Sequence, residues 1–370
     1  MWMMLFMILP LLAIAYVAWH VWVLLPLPAL WKTLVIVVGV ACFLTLFLDL
    51  GRKLDSYPLP LARVLYEIGT SSIIVLLYLV LLFLVLDLGR LVHLVPKTWL
   101  YANWQSASVM FVLLLALFVY GNLHYKNKVR VELNLTTETP LTKDYRLVMA
   151  SDLHLGYHNP RKELARWVDL MNAEEPDLIL IAGDIIDISV RPLIEEDMAA
   201  EFRRLKAPVY ACLGNHEYYS GEPQAQKFYQ DAGIHLLSDA SAVIDSSLVI
   251  IGRDDRTNMR RQSVEDLVSA TVHHPSPTTH HPYYTILLDH QPYHLERSEK
   301  AGIDFQLSGH THRGQVWPIS WIADAIYEKS WGSHRRGNTY YYVSSGLGIW
   351  GGKFRIGTQS EYIVATIKNK

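Results

Sequence analysis

Leu178-Ile-Leu-Ile-Ala-Gly183-Asp184-Ile-Ile-Asp187 reads as a buried β-strand that stops at a glycine and hands over two carboxylates. The arrangement recurs along the chain. Leu147-Val-Met-Ala precedes Ser151-Asp152-Leu-His154, and Pro208 to Leu213 precedes Gly214-Asn215-His216-Glu217. Tyr284 to Leu288 precedes Asp289-His290, and Phe305 to Leu307 leads to Gly309-His310-Thr-His312. In an open α/β sheet, side chains at the carboxyl ends of parallel strands converge on one crevice. Five separate loops can therefore build one site.

Working outward, strands alternate with helices from Thr136 to the end of the chain. Arg161 to Asn172 places Leu164, Trp167, Val168 and Met171 on one helical face. Pro192 to Leu205, Pro223 to Ala232, Ser263 to Ala270 and Pro292 to Ala301 read as further helices. Tyr340 to Ser344 and Tyr362 to Ile367 close as strands. The fold class is α/β. No internal repeat is visible.

The five stretches carry Asp, His and Asn side chains of the kind that hold two divalent ions. A carboxylate bridging two dications must be short and rigidly placed, and Asp184 directly after a strand fits. Asp152 and His154 alternate around Leu153, and His310 and His312 around Thr311, so an extended backbone would put each pair on one face. Oxygen and imidazole donors without thiolate suit Mn, Fe, Zn or Mg. Taken singly, Gly183-Asp184 and Gly214-Asn215 are ordinary turn residues. Seven metal-type side chains in register are not explained that way. Asp254 and Asp255 read as a surface turn. The tract from His273 to His281 holds four His around two Pro and reads as a loop. Cys42 and Cys212 give no disulfide framework.

In their order, these motifs resemble the calcineurin-like metallophosphoesterase superfamily over about residues 144 to 367, within a domain expected at 144–370. The resemblance implies a four-layer sandwich of two mixed β-sheets flanked by helices. It also implies that Asp152, His154, Asp184 and His312 hold one divalent ion, Mn foremost, and that Asp184, Asn215, His290 and His310 hold a second. His216 would protonate the leaving group, Glu217 would orient His216, and Asp187 would support the metal ligands. Gly309-His-Thr-His-Arg-Gly-Gln315 and Val343-Ser-Ser-Gly-Leu-Gly-Ile-Trp-Gly351 are similar to a membrane-associated bacterial branch that includes UDP-2,3-diacylglucosamine hydrolase-type proteins. Arg313 departs from the glycine common there; its guanidinium could bind an extra phosphate.

The front of the chain is of another kind. Met1 to Tyr120 holds six Lys or Arg and four Asp or Glu, and the other 250 residues hold 58 charges. Runs near 3–25, 32–50, 68–88 and 102–120 predict four transmembrane helices within residues 1–122, followed by a juxtamembrane linker at 123–143. The first run could also be a cleaved leader, although no basic segment precedes it. Arg52, Lys53, Arg63, Lys126, Lys128 and Arg130 would share one side, against Lys32, Arg90 and Lys97 on the other. That bias predicts a multi-pass protein of the bacterial inner membrane with a cytoplasmic catalytic domain. The basic cluster after the last span could also meet acidic lipid.

Net charge is −2, with no basic, aromatic-rich stripe, which argues against a nucleic-acid partner. Val316 to Trp331 carries Trp317, Trp321, Ile322, Ile326 and Tyr327 directly after the last histidine motif. This segment either covers the sheet or meets the bilayer and an acyl chain. The expected partners are the lipid bilayer and a lipid-linked or other phosphorylated small molecule, with Arg313 and Trp321 as substrate contacts. The sequence sets no oligomeric state. Two alternatives remain open: a tethered phosphodiesterase of soluble nucleotides, and a membrane sensor with a phosphoesterase-like head.

Overall fold

The computed structural model describes residues 2–48, 50–271 and 283–370; the histidine-rich tract at 273–281 lies outside them. The chain divides into two compact units, Met1–Asn122 with Gly351–Lys353 and Leu123–Trp350 with Phe354–Lys370.

The first unit is helical: α1 (Trp2–Leu24), α2 (Ala29–Leu44), α3 (Leu59–Leu91) and α4 (Trp104–Lys126), the last running into the second unit. Three stretches, Ala29–Leu48, Leu59–Leu91 and Trp104–Lys126, are long and apolar enough to cross a membrane. The expectation of four spans is corrected to three. Within α1, the apolar stretch Ile8–Leu24 is shorter than these three. It makes polar contacts to α3. The Tyr16 hydroxyl donates to Asp87 Oδ2 of α3 at 2.7 Å, and His20 Nε2 lies 3.0 Å from the same oxygen. Exposed Val35, Val38, Val85, Leu88, Phe111 and Leu113 leave apolar faces outward on α2, α3 and α4, as lipid-facing helices require.

The second unit opens with β1 (Lys128–Thr137), β2 (Tyr145–Ala150), α5 (Arg161–Ala173), β3 (Leu178–Ala182), α6 (Arg191–Glu195), α7 (Met198–Phe202) and β4 (Val209–Cys212). It continues with α8 (Asn215–Ser220), α9 (Glu222–Ala232), β5 (Ile234–Leu236), β6 (Ala240–Val243), β7 (Leu248–Gly252), α10 (Val264–Thr271) and β8 (Tyr284–Leu288). It ends with α11 (Leu295–Lys300), β9 (Phe305–Ser308), α12 (Ile319–Ile326), β10 (Gly332–Arg336), β11 (Thr339–Val343) and β12 (Ser360–Asn369). The segment read as a linker thus contains β1. Alternate residues Leu133, Leu135 and Thr137 are buried there, the period of a half-buried strand.

Two six-stranded sheets form, in the orders β1-β12-β2-β3-β4-β5 and β10-β11-β9-β8-β7-β6. Both are mixed. β12 runs antiparallel to β2, and β6 and β10 are antiparallel edges of the second sheet. Leu147, Met149 and Leu180 of the first sheet share a core with Ile250, Ile286 and Leu307 of the second. Outside the first sheet, α5 packs with the four side chains read from its periodicity, Leu164, Trp167, Val168 and Met171. Outside the second sheet, Val264, Leu267 and Val268 of α10 cover Val249, Ile251 and Leu287. The parallel strands β2, β3 and β4 of one sheet and β7, β8 and β9 of the other end in the loops that carry the conspicuous residues.

Candidate metal centre

The ends of β2 and β9 do not continue as extended backbone. Asp152 (φ 54°), His154 (φ 45°), His310 (φ 69°) and His312 (φ 46°) are all left-handed, as is Asp184 (φ 52°). The extended reading of the two Asp-x-His and His-x-His pairs is therefore corrected. Each such turn costs a side-chain-bearing residue about 1 kcal/mol, and such strain gathers at functional sites. Backbone bonds from Asp152 N to Gly183 O (3.1 Å) and from His154 N to Asp184 O (3.0 Å) lock the β2 and β3 loops together. Gly214 is required by close approach, since a Cβ there would stand 2.2 Å from Asp184 Oδ1.

The side chains then converge in three overlapping groups, each able to hold a cation: Asp152, His154 and His312; His154, Asp184 and His216; and Asp184, His290 and His310. His154 Nε2 and His312 Nε2 face each other at 3.0 Å, with Asp152 Oδ1 at 3.9 and 3.5 Å. Asp184 Oδ2 lies 3.1 Å from His290 Nε2 and 3.7 Å from His154 Nε2, so it sits between the two ends of the site. Asn215 Oδ1 is 3.2 Å from His290 Nε2 and 2.9 Å from His310 Nδ1. All seven sequence-derived ligand candidates are thus in one place.

The donor set fits divalent ions. Two imidazole nitrogens pointed at one another, beside carboxylates, are reconciled by a cation between them. His290 donates from Nδ1 to the Ala182 carbonyl at 2.8 Å. That bond fixes the ring and turns Nε2 toward Asp184, as a ligating imidazole needs. Burial, with His290 next, holds His310 down to about 4. Burial and then His154 and Arg355 hold His312 well below its ordinary value. Both rings are therefore neutral at pH 7. Burial opposes charge on Asp184, but His290, His216 and His154 keep its carboxyl well below the usual range.

One role changes hands relative to the sequence reading, and Asp187 adds it to its contact with the ligand candidate His154. Glu217 does not orient the His216 ring. Its carboxylate accepts the backbone N–H groups of Asp184 (3.1 Å), Ile186 (2.9 Å) and Gly214 (2.7 Å), and so shapes the loop that bears Asp184. Asp187 takes the orienting place, with Oδ1 3.1 Å from His216 Nδ1 and 3.3 Å from His154 Nδ1. Burial lowers the basicity of His216, but Asp184, Asp187 and Glu217 outweigh it and raise the ring to about 9. In the metal-free site His216 therefore carries a proton at neutral pH.

Asp289 is buried between Arg253 (3.1 Å) and Arg261 (3.0 Å). Asp254 and Asp255, expected at a surface turn, are buried as well, bound by Tyr218 and Asn258 and by Gln291 and Thr257. Arg313 lies 4.4 Å over the Trp331 ring, and its buried Nε has no hydrogen-bond partner among the described residues. Trp321 stands on α12, edge-on to Trp317, and is 64% exposed.

Arg355 was not singled out from sequence. Fully buried, it donates to the carbonyls of His312 (2.8 Å), Ser345 (2.5 Å) and Gly348 (3.2 Å). It ties the last histidine loop to the loop after β11. Nothing in Gly-Gly-Lys-Phe-Arg355 announces this, because its acceptors are backbone.

The sequence model of the calcineurin-like phosphoesterases matches residues 145–314. An uncharacterized metallophosphoesterase of Aquifex aeolicus is 31% identical over 245 residues, which is 64% of this chain and 89% of that one. An uncharacterized metallophosphoesterase of Campylobacter jejuni is 29% identical, over 70% of this chain and 69% of its own. A Danio rerio transmembrane protein with a metallophosphoesterase domain is 27% identical, over 72% and 63% respectively. The chain belongs to the calcineurin-like phosphoesterase family. It is a metal-dependent phosphoesterase, a hydrolase whose family uses divalent ions.

Proposed function

We propose that the protein hydrolyses a phosphate ester or pyrophosphate bond of a lipid-linked substrate at a membrane surface. Asp152, His154, Asp184 and His312 would hold one divalent ion, and Asp184, Asn215, His290 and His310 a second, with Mn the foremost candidate. Such a pair lowers the pKa of a water and neutralises the oxygens of a phosphoryl displacement. The chain's own residues do the rest. His216, steered by Asp187, would give a proton to the leaving-group oxygen. Glu217 keeps the Asp184 loop rigid. Arg313, braced on Trp331, offers its guanidinium edge to a phosphate oxygen.

One observation carries the lipid reading. The helix directly after the histidine motif leaves Trp321, Ile322 and Ile326 exposed by 64%, 53% and 62%, with Trp317 beside them at 41%. Tryptophans and aliphatic residues together favour the membrane–water interface. The same chain carries three candidate spans.

The basic-residue bias supports a cytoplasmic catalytic unit. It holds with three spans as with four, because α2, α3 and α4 alone put Arg52, Lys53 and Arg63 on the side of Lys126. The test compares a diacylated pyrophosphate glycolipid with bis(4-nitrophenyl) phosphate. Trp321→Ala should depress kcat/KM for the lipid alone. Equal loss on both substrates, or a soluble nucleotide turned over far faster than any lipid, overturns the lipid reading.

A further inference from the structure

The loop after β7 carries four arginines, Arg253, Arg256, Arg260 and Arg261. Arg253 and Arg261 are committed to Asp289. Arg260 is exposed. Arg256 is half-buried, and among the described residues it has no hydrogen-bond or ion-pair partner. Its guanidinium instead lies 4.1 Å over the Tyr293 ring. Tyr293 donates its hydroxyl to Tyr327 Oη at 3.1 Å, and the Tyr327 ring lies 6.4 Å from the ring of His310. A cation on an aromatic face has thus been brought, through two tyrosines, to the His310 end of the metal centre.

The neighbouring acids do not explain it. Asp254 is taken by Tyr218 and Asn258, and Asp255 by Gln291 and Thr257. Stacking leaves the edge donors of a guanidinium free, in a fixed fork that matches a phosphate. Three different loops supply Arg256, Tyr293 and Tyr327, so local sequence does not account for their meeting.

We propose that Arg256, held flat against Tyr293, binds a second phosphate of the substrate and selects diphosphate-linked compounds over those with one phosphate. The inference rests on the phosphoesterase reading and names its substrate class: the first phosphate meets the metal centre, and the second meets Arg256. Tyr293 and Tyr327 position the guanidinium and line the path between the two.

The test uses the full-length protein in detergent, loaded with manganese, and titrates UMP and UDP by calorimetry. The wild type should bind UDP more tightly than UMP. Arg256→Met should weaken UDP by about 10- to 100-fold, the range of a charge-assisted hydrogen bond, and leave UMP unmoved. Arg256→Lys should recover part of the loss. Manganese content and melting temperature of each variant show that the fold is kept. Weakening of UDP and UMP alike, or of neither, overturns the proposal. Failure of the wild type to turn over bis(4-nitrophenyl) phosphate would count against the phosphoesterase reading instead, because the binding comparison does not depend on turnover.

Discussion

Replacing Arg355 by Met should destabilise the catalytic unit by about 3 kcal/mol. The guanidinium is fully buried and holds three backbone carbonyls, those of His312, Ser345 and Gly348, with Ser360 Oγ at 3.2 Å from Nε. Methionine fills similar space but donates nothing. Each stranded carbonyl costs about 1–3 kcal/mol, so about 6 kcal/mol is lost at the middle of that range. Against this stands the cost of burying the charge. Burial, only partly offset by Asp152 and Glu361, pushes the guanidinium down from 12.5 to about 10. That displacement corresponds to about 3 kcal/mol, which the variant recovers. The carbonyls win by roughly the difference. For a unit of this size the melting temperature should fall by about 6–12 °C. Differential scanning calorimetry of the manganese-loaded protein in detergent reads this directly. Arg355→Lys should fall nearly as far, because one ammonium cannot reach three diverging carbonyls. A loss below 3 °C for Arg355→Met would refute the view that this arginine ties the two loops.

Metal uptake should release protons and tighten as pH rises. In the metal-free site Asp184 outweighs burial and holds His290 well above its ordinary value, so this ring must lose a proton before it can ligate. Calorimetry of manganese binding between pH 6 and 8 in buffers of different ionisation enthalpy should show both effects; pH-independent affinity would contradict the protonation assigned. Gly214→Ala should empty the site by driving a Cβ to 2.2 Å from Asp184 Oδ1, and elemental analysis should find under half the wild-type metal. His216→Asn should keep its metal but slow turnover by about 10²–10⁴-fold on poor leaving groups. The defect should shrink on 4-nitrophenyl esters, and loss of metal from this variant would reassign His216 as a ligand.

The site-bearing strands β2, β3, β4, β8 and β9 were legible because each is an apolar run soon followed by Gly, Asp or Asn, and α5 was legible from its 3.6-residue period; β1, inside the segment read as a linker, was not. The convergence of Asp152, His154, Asp184, Asn215, His290, His310 and His312 followed from strand-end topology alone. Backbone conformation was not legible. Left-handed φ at Asp152 or His310 is imposed by loop–loop hydrogen bonds that form only after the sheets pack. The division of work between Asp187 and Glu217 was hidden for the same reason, since Glu217 serves three N–H groups whose positions are tertiary. Arg256, Tyr293 and Tyr327 lie on three loops without shared spacing. Nor did composition show that Tyr16 and His20 of α1 face a carboxylate within the bundle.

The place of β12 has a consequence for biosynthesis. β1 follows the last membrane helix directly, yet its strand partner in the sheet is β12, residue for residue from Lys128–Ser360 to Thr137–Asn369. More than 220 residues separate the two halves of that ladder. While the ribosome is still extending the chain, β1 waits beside the bilayer with its amide groups unsatisfied and its apolar face open, an edge of the sort that recruits stray strands. Closure comes only when Ser360–Asn369 slides between β1 and β2. This non-local step makes the unit a slow folder, and any truncation before residue 360 leaves two strands of the first sheet without a common neighbour.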